Sequence, residues 1–214
     1  MSNAASTGSE WDLALEFTPY YYHCGHRGAS RAEPGVTLGL VVDEERFEIE
    51  TKVGKNTALI AAFEAAFGVA PTNSSCVVAA GGFEFVGIGL SRWHAIFRGR
   101  DRSARRAVLR DTVRDLATLV DVSDAFTVFL LAGPMAEDVL ARRVRIDLAA
   151  FPPGACATTD LHGMSVQLRR RWEGDCYECA IARSYGGSLF HALVRTADRF
   201  GLFVERPQRS RGYR

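Results

Sequence analysis

The 214 residues hold 26 Lys or Arg against 25 Asp or Glu, a formal net charge of +1, and 47% of the side chains are hydrophobic. This length allows one large or two small cores, and the composition is that of a globular chain rather than a disordered or fibrous one. The longest apolar runs, such as 126–132, are too short to cross a bilayer as helices, and residues 1–9 lack the basic-then-apolar order of a secretory leader. A cytoplasmic protein without a membrane partner is the expectation.

Five cysteines (Cys24, Cys76, Cys156, Cys176, Cys179) suit reduced thiols better than a disulfide framework. The charge is unevenly spread. Residues 1–90 carry a net of −6 and residues 91–214 a net of +7, an asymmetry that suggests two lobes with different neighbours. Lys52 and Lys55 are the only lysines. Arginine forms forked contacts at interfaces, although a compositional bias would give the same count.

The first thirty residues have little period and include Tyr20-Tyr21-Tyr22-His23-Cys24-Gly25-His26; they read as an arm that orders on a surface. Val36 to Val42 is strand-like, and Phe47 to Thr51 alternates as a half-buried strand does. After a turn at Gly54-Lys55-Asn56 comes a helix capped by Asn56 or Thr57, with Leu59, Ile60, Phe63, Ala66 and Phe67 on one face and Gly68 closing it. Cys76 to Ala79 and Phe83 to Ile88 read as strands hinged at Gly81-Gly82, and Ser91 to His94 as a short turn into another strand. Ser103 is placed to cap a second helix, with Leu109, Val113, Leu116 and Val120 along one side.

A similar order then restarts. Leu119 to Ser123 and Thr127 to Leu131 are strands, and Gly133-Pro134 opens a helix with Pro134 at its first position and Glu137 and Asp138 near the positive end of its dipole. Phe151-Pro152-Pro153-Gly154 is a turn. Cys156 to Thr159, Ser165 to Leu168 and Tyr177 to Ala182 are strands. Ser184 or Ser188 caps a last helix that turns Leu189, Leu193, Ala197 and Phe200 inward and stops at Gly201. The expected class is α+β: an arm (1–30), two similar lobes of antiparallel or mixed sheet with packed helices (31–118 and 119–205), and a mobile basic tail (206–214).

Chemistry-bearing motifs are few. The glycines at 81, 82, 87 and 89 sit in a strand pair with no helix start behind them, so a dinucleotide fingerprint is disfavoured. No phosphate loop is present. Cys176-x-x-Cys179 lies on a predicted strand, where positions three apart face opposite ways, so a zinc site is disfavoured and no metal is expected. No nucleophile elbow accompanies His162 or His191, and no catalytic residue is assigned. The arginines from Arg98 to Arg110 form either a solvated helix face or a subunit contact; base-stacking aromatics and a recognisable nucleic-acid module are missing.

One resemblance is specific. Leu119-Val120-Asp121-Val122-Ser123-Asp124, Leu131 to Leu140, Ile146-Asp147-Leu148, Phe151 to Ala157, Tyr177-Glu178 through Tyr185, and Ser188-Leu189-Phe190 are similar to the second lobe of γ subunits of heterotetrameric sarcosine oxidase. Gly87 to Trp93 resembles a turn of that family ending in Trp. The family in turn resembles the folate-binding fold of the glycine-cleavage aminomethyltransferase, of which this chain is about half.

The resemblance implies a non-catalytic γ subunit beside α, β and δ subunits. No cofactor is implied for this chain; FAD, FMN, NAD, tetrahydrofolate and zinc belong to the partners. Such complexes oxidise the N-methyl group of sarcosine to give glycine, hydrogen peroxide and formaldehyde or methylene-tetrahydrofolate. By position, Asp121, Ser123 and Glu178 match residues around the folate cavity of the larger family. Trp93, Arg105, Arg106 and Arg110 are the candidate partner contacts. A stand-alone folate-binding one-carbon protein is the alternative, and a nucleic-acid-binding module ranks last.

Overall fold

Alternating apolar and polar positions sort the strands into two sheets, each with one face that must be covered. A computed structural model of the chain describes Pro19 and residues 22–28, 33–72, 75–99, 101–172 and 174–207. Its elements are β1 (Gly25–Arg27), β2 (Val36–Val41), β3 (Glu44–Thr51), α1 (Asn56–Phe67), β4 (Val77–Ala80), β5 (Phe83–Gly89), β6 (Arg92–Arg98), α2 (Arg102–Val113), β7 (Ala117–Asp121), β8 (Phe126–Ala132), α3 (Ala136–Ala141), β9 (Cys156–Leu161), β10 (Met164–Arg170), β11 (Cys176–Ala182), α4 (Gly186–Ala197) and β12 (Leu202–Val204). One sheet runs β1-β12-β2-β8-β11-β10-β9 and the other β4-β5-β6-β3-β7. The β12–β2 pair is parallel.

Each sheet buries one face under two helices. In the five-stranded sheet Phe47, Ile49, Phe85, Trp93 and Phe97 pack with Leu59 and Phe63 of α1 and with Leu109 and Val113 of α2. In the seven-stranded sheet Leu38, Phe129, Leu131 and Tyr177 pack with Val139 of α3 and Phe190 of α4. The remaining faces meet. Val77, Val86 and Ile96 of one sheet cluster with Cys156 of the other, and an antiparallel bridge joins Cys76 to Ala155. Backbone bonds from Val77 N to Gly154 O (2.8 Å) and Cys156 N to Ser75 O (2.9 Å) flank it. The result is four layers: helices, sheet, sheet, helices. The α+β class matches the expectation.

Several local expectations change. The sheets do not part at residue 118. β2 joins the seven-stranded sheet beside β8, and β7 joins the five-stranded sheet beside β3. Sequence period reports which face of a strand is oily, not which sheet takes it. Residues 92–94 are not a turn: β6 pairs with both β3 and β5, and Leu90 with Ser91, the latter at φ 56°, makes the reversal. The second helix ends at Val113, so Val120 lies on β7, exposed.

The expected caps differ too. Lys55, Asp101 and Tyr185 precede α1, α2 and α4 without a side-chain cap bond, which displaces Asn56, Thr57, Ser103, Ser184 and Ser188 from that role. Pro134 precedes α3 by two residues instead of opening it. Gly68 does close α1, at φ 73° with its N–H on Glu64 O. Within the arm, the described residues order on this chain itself. Tyr22 is buried, its hydroxyl donating to Leu38 O (3.1 Å) or Glu205 O (2.9 Å), and β1 pairs with β12. Residues 208–214 of the expected tail and most of the arm lie outside the described residues.

Candidate functional site

Where the two sheets face each other, their strands carry buried charges beside the small cluster of Val77, Val86, Ile96 and Cys156. Glu44 and Arg98 are partners in the β3–β6 register, and Arg169 and Glu178 in the β10–β11 register. Both pairs occupy the phase opposite to the helix-covered residues, so they turn into the space between the sheets. Glu44 accepts from Arg46 Nε (2.9 Å) and Nη2 (2.5 Å) and from Arg98. Glu84 accepts from Arg98 Nη1 (3.3 Å) and Arg169 Nη1 (3.1 Å). Glu178, only 1% exposed, accepts from Arg98 Nη2 (3.0 Å), Arg169 and Arg171.

Arg46, itself buried, extends the network. It donates to Gln167 Oε1 (2.9 Å), meets His94 Nδ1 at 3.2 Å, and lies 4.8 Å over the Phe126 ring. Burial alone would raise the Glu44 carboxyl, but Arg46, Arg98 and Arg169 outweigh it and hold it well below the usual range. Burial, helped by Arg46, pushes His94 down to about 3. His94 is therefore neutral near pH 7, and because Arg46 donates to Nδ1 its proton sits on Nε2, 3.9 Å from Glu48 Oε2. Guanidinium groups do not deprotonate and this imidazole resists protonation, so the network is suited to fixing the two sheets together and not to moving protons at neutral pH.

The sequence-matched residues land in two places. Glu178 sits in the network. Asp121 and Ser123 sit at an exposed corner, where Asp121 Oδ1 accepts from Ser123 N (3.0 Å) and Oγ (2.6 Å). Ser123 Oγ accepts from the Arg46 backbone N–H (3.1 Å), which ties the corner to the network. Arg98, expected on a solvated helix face or at a subunit contact, instead ends β6 as a buried member of the network, and Glu44, Arg46, Glu84, His94, Gln167 and Arg169 join it without having been expected as a site. Their signal was present as charges at alternate strand positions, as in Phe83-Glu84-Phe85, which ordinarily mark a solvent face.

Three of the four expected partner contacts are otherwise engaged. Trp93, 1% exposed, is core, with its indole N–H on Thr72 O (3.0 Å); a buried ring has no surface to offer a partner. Arg105 donates to Gly82 O (3.1 Å) and Arg98 O (3.0 Å). Arg106 Nε donates to Glu45 Oε2 (2.6 Å). Arg110 is exposed on α2. Cys179 lies in the helix-side core of β11, where burial raises its thiol to about 12, while Cys176 occupies the other face.

No family model matches the sequence, and no curated protein matches it. Solved structures do. A chain of the heterotetrameric sarcosine oxidase from Corynebacterium sp. U-96, in complex with pyrrole 2-carboxylate, superposes with a TM-score of 0.68 at 24% identity, covering 81% of this chain and 88% of that one. The glycine cleavage system aminomethyltransferase T from Bartonella henselae gives a TM-score of 0.61 at 14% identity, covering 81% of this chain but 48% of that one. The chain has the aminomethyltransferase fold.

Glu178 is the position that the resemblance matches to the edge of a folate cavity. Here Oε2 accepts from the buried Arg98 and Arg169, and Oε1 accepts from the half-buried Arg171. That arrangement does not fit a pterin held by Glu178. Within the aminomethyltransferase fold, this chain uses the position as an internal tie.

Proposed function

We propose that this chain is the γ-type subunit of a sarcosine oxidase-type complex, a non-catalytic wall beside a flavin-bearing partner that oxidises sarcosine or a related N-methyl amine. The observation that carries the reading is extent. The likeness spans nearly the whole of a chain from a heterotetrameric oxidase, but only about half of the glycine cleavage system aminomethyltransferase. The network around Glu178 supports the non-catalytic part, since three of the chain's own arginines already hold that buried carboxylate. A rigid double sheet is also a good wall: it shields a reactive intermediate from water without having to move.

The test is affinity capture of the tagged chain from its native host, followed by native mass spectrometry and a visible spectrum. Larger subunits with flavin absorption support the reading. A colourless chain recovered alone defeats it, and heat from a tetrahydrofolate titration of that lone chain would install the one-carbon alternative.

A further inference from the structure

The arginines divide into two populations. Those between the sheets and along the first half of α2 bind this chain's own acceptors, as Arg46, Arg98, Arg106 and Arg169 illustrate. A second group lies on the outer helical layer of the seven-stranded sheet. Arg142, at the end of α3, lies 5.5 Å over the Phe200 ring. Its neighbour Arg143 donates to Thr196 Oγ1 at 2.6 Å. Thr196 and Phe200 each follow an exposed arginine, Arg195 and Arg199, one helical turn apart on α4 and its 3-10 extension (Asp198–Phe200).

These contacts seat Arg142 and Arg143 against the C-terminal end of α4, where the exposed Arg195 and Arg199 are chain neighbours of the contacted residues, with exposed Arg145 two residues beyond Arg143. Among the described residues no carboxylate forms an ion pair with any of the five. Asp198 lies between Arg195 and Arg199 and exposed Asp147 two residues past Arg145, while Glu137 and Asp138 lie at the opposite end of α3.

We propose that this α3–α4 surface docks an acidic protein surface of a partner subunit; the inference rests on the subunit reading above. Charge complementarity selects the partner. Unpaired, forked guanidinium groups on rigid helices match carboxylates and steer encounter. Protein is favoured over nucleic acid on two grounds. The aromatic ring in the patch, Phe200, is buried beneath Arg142 and has no free face on which to stack a base. The chain's formal charge is only +1, so no overall field draws in a polyanion. This surface replaces the first half of α2 as the partner-facing one.

The experiment uses the full chain captured with its complex, wild type against the triple charge reversal Arg142→Glu/Arg195→Glu/Arg199→Glu. Arg110→Glu on α2 serves as control, and thermal unfolding of each isolated chain checks folding. The expected result is at least about a tenfold loss of the captured flavin-bearing subunits for the triple variant alone, with wild-type capture weakening as salt rises. If the triple variant unfolds, the milder Arg195→Gln/Arg199→Gln pair is read in the same way. Undiminished capture overturns the docking surface while leaving the subunit reading intact. A wild-type chain that captures no flavin subunit overturns both. If charge reversal abolishes binding to a fluorescent DNA duplex, or self-association in sedimentation, while capture persists, the surface belongs to nucleic acid or to a second copy, and the proposal is wrong.

Discussion

Glu178 shows how a residue's meaning depends on what surrounds it. Its three arginine donors come from β6, from β10 and from just beyond it, so truncating one carboxylate leaves Arg98 and Arg169 buried without that partner. Removing one member of a buried ion cluster generally costs about 3–5 kcal/mol. Glu178→Ala should lower stability in urea by that order, whereas Glu178→Gln, which keeps an acceptor, should lose less. If Glu178→Ala unfolds at the wild-type midpoint, the network is not a structural tie.

His94 makes a pH-dependent contribution of definite sign. Its folded pKa is about 3 against an ordinary 6.5, so below 6.5 the unfolded chain takes up the proton and the folded chain does not. Stability from this group is complete above about pH 6.5 and falls steadily as pH drops toward 3. Lowering the pH to about 5 should remove about 2 kcal/mol. Glu205, whose carboxyl burial raises, works in the opposite direction, so the clean readout is the difference from His94→Gln. That variant should flatten the stability profile between pH 5 and 6.5; an unchanged slope would mean that His94 is exposed to protons after all.

At the scale of elements, the join between the sheets depends on one turn residue without a side chain. Gly154 has φ 80°, and a Cβ there would lie 2.2 Å from Trp172 Cη2, while its own N–H and C=O bond to Arg170 O and Val77 N. Gly154→Ala should cost about 1–3 kcal/mol through left-handed strain plus the clash. Because Trp172 is half exposed, adding Trp172→Ala should recover the clash component and leave the backbone part. No recovery in the double variant would show that the cost is wholly conformational.

The elements also show what the sequence could reveal. The four helices and most strands followed from period and punctuation: Leu59 with Phe63, Leu189 with Leu193, and Gly68 as a stop. β6 was partly hidden because Arg92 and His94 break the apolar run, although they occupy its inward-turned phase against the other sheet. The caps were misplaced because backbone geometry at Lys55, Asp101 and Tyr185 starts those helices without help from the neighbouring serines, Asn56 or Thr57. The network was invisible for a deeper reason. Charges at alternate strand positions mean solvent unless a second charged sheet covers them, and that fact is not local to any strand.

For the molecule as a whole, two electrostatic regimes should respond differently to salt. The inter-sheet network is out of water and screened weakly, while the α3–α4 surface faces solvent. Raising salt from about 0.05 to about 0.5 M should therefore leave the urea midpoint of the isolated chain nearly fixed. A midpoint that fell steeply with salt would place the stabilising ion pairs at the surface.

The parallel pairing of β12 with β2 sets a timetable for synthesis. Val36 lies beside Leu202, so β2 leaves the ribosome roughly 160 residues before its last neighbour exists, an interval on the order of ten seconds at ordinary translation rates. Until Leu202, Phe203 and Val204 arrive, the β2 edge along Val36, Thr37 and Leu38 has no strand beside it, and before β8 appears the buried Leu38 and Leu40 have no strand at all. β1 waits for the same three residues. The final strand thus acts as a latch that fastens both early strands at once, and the newborn chain spends most of its assembly with an apolar edge open to whatever chaperone or partner is nearby.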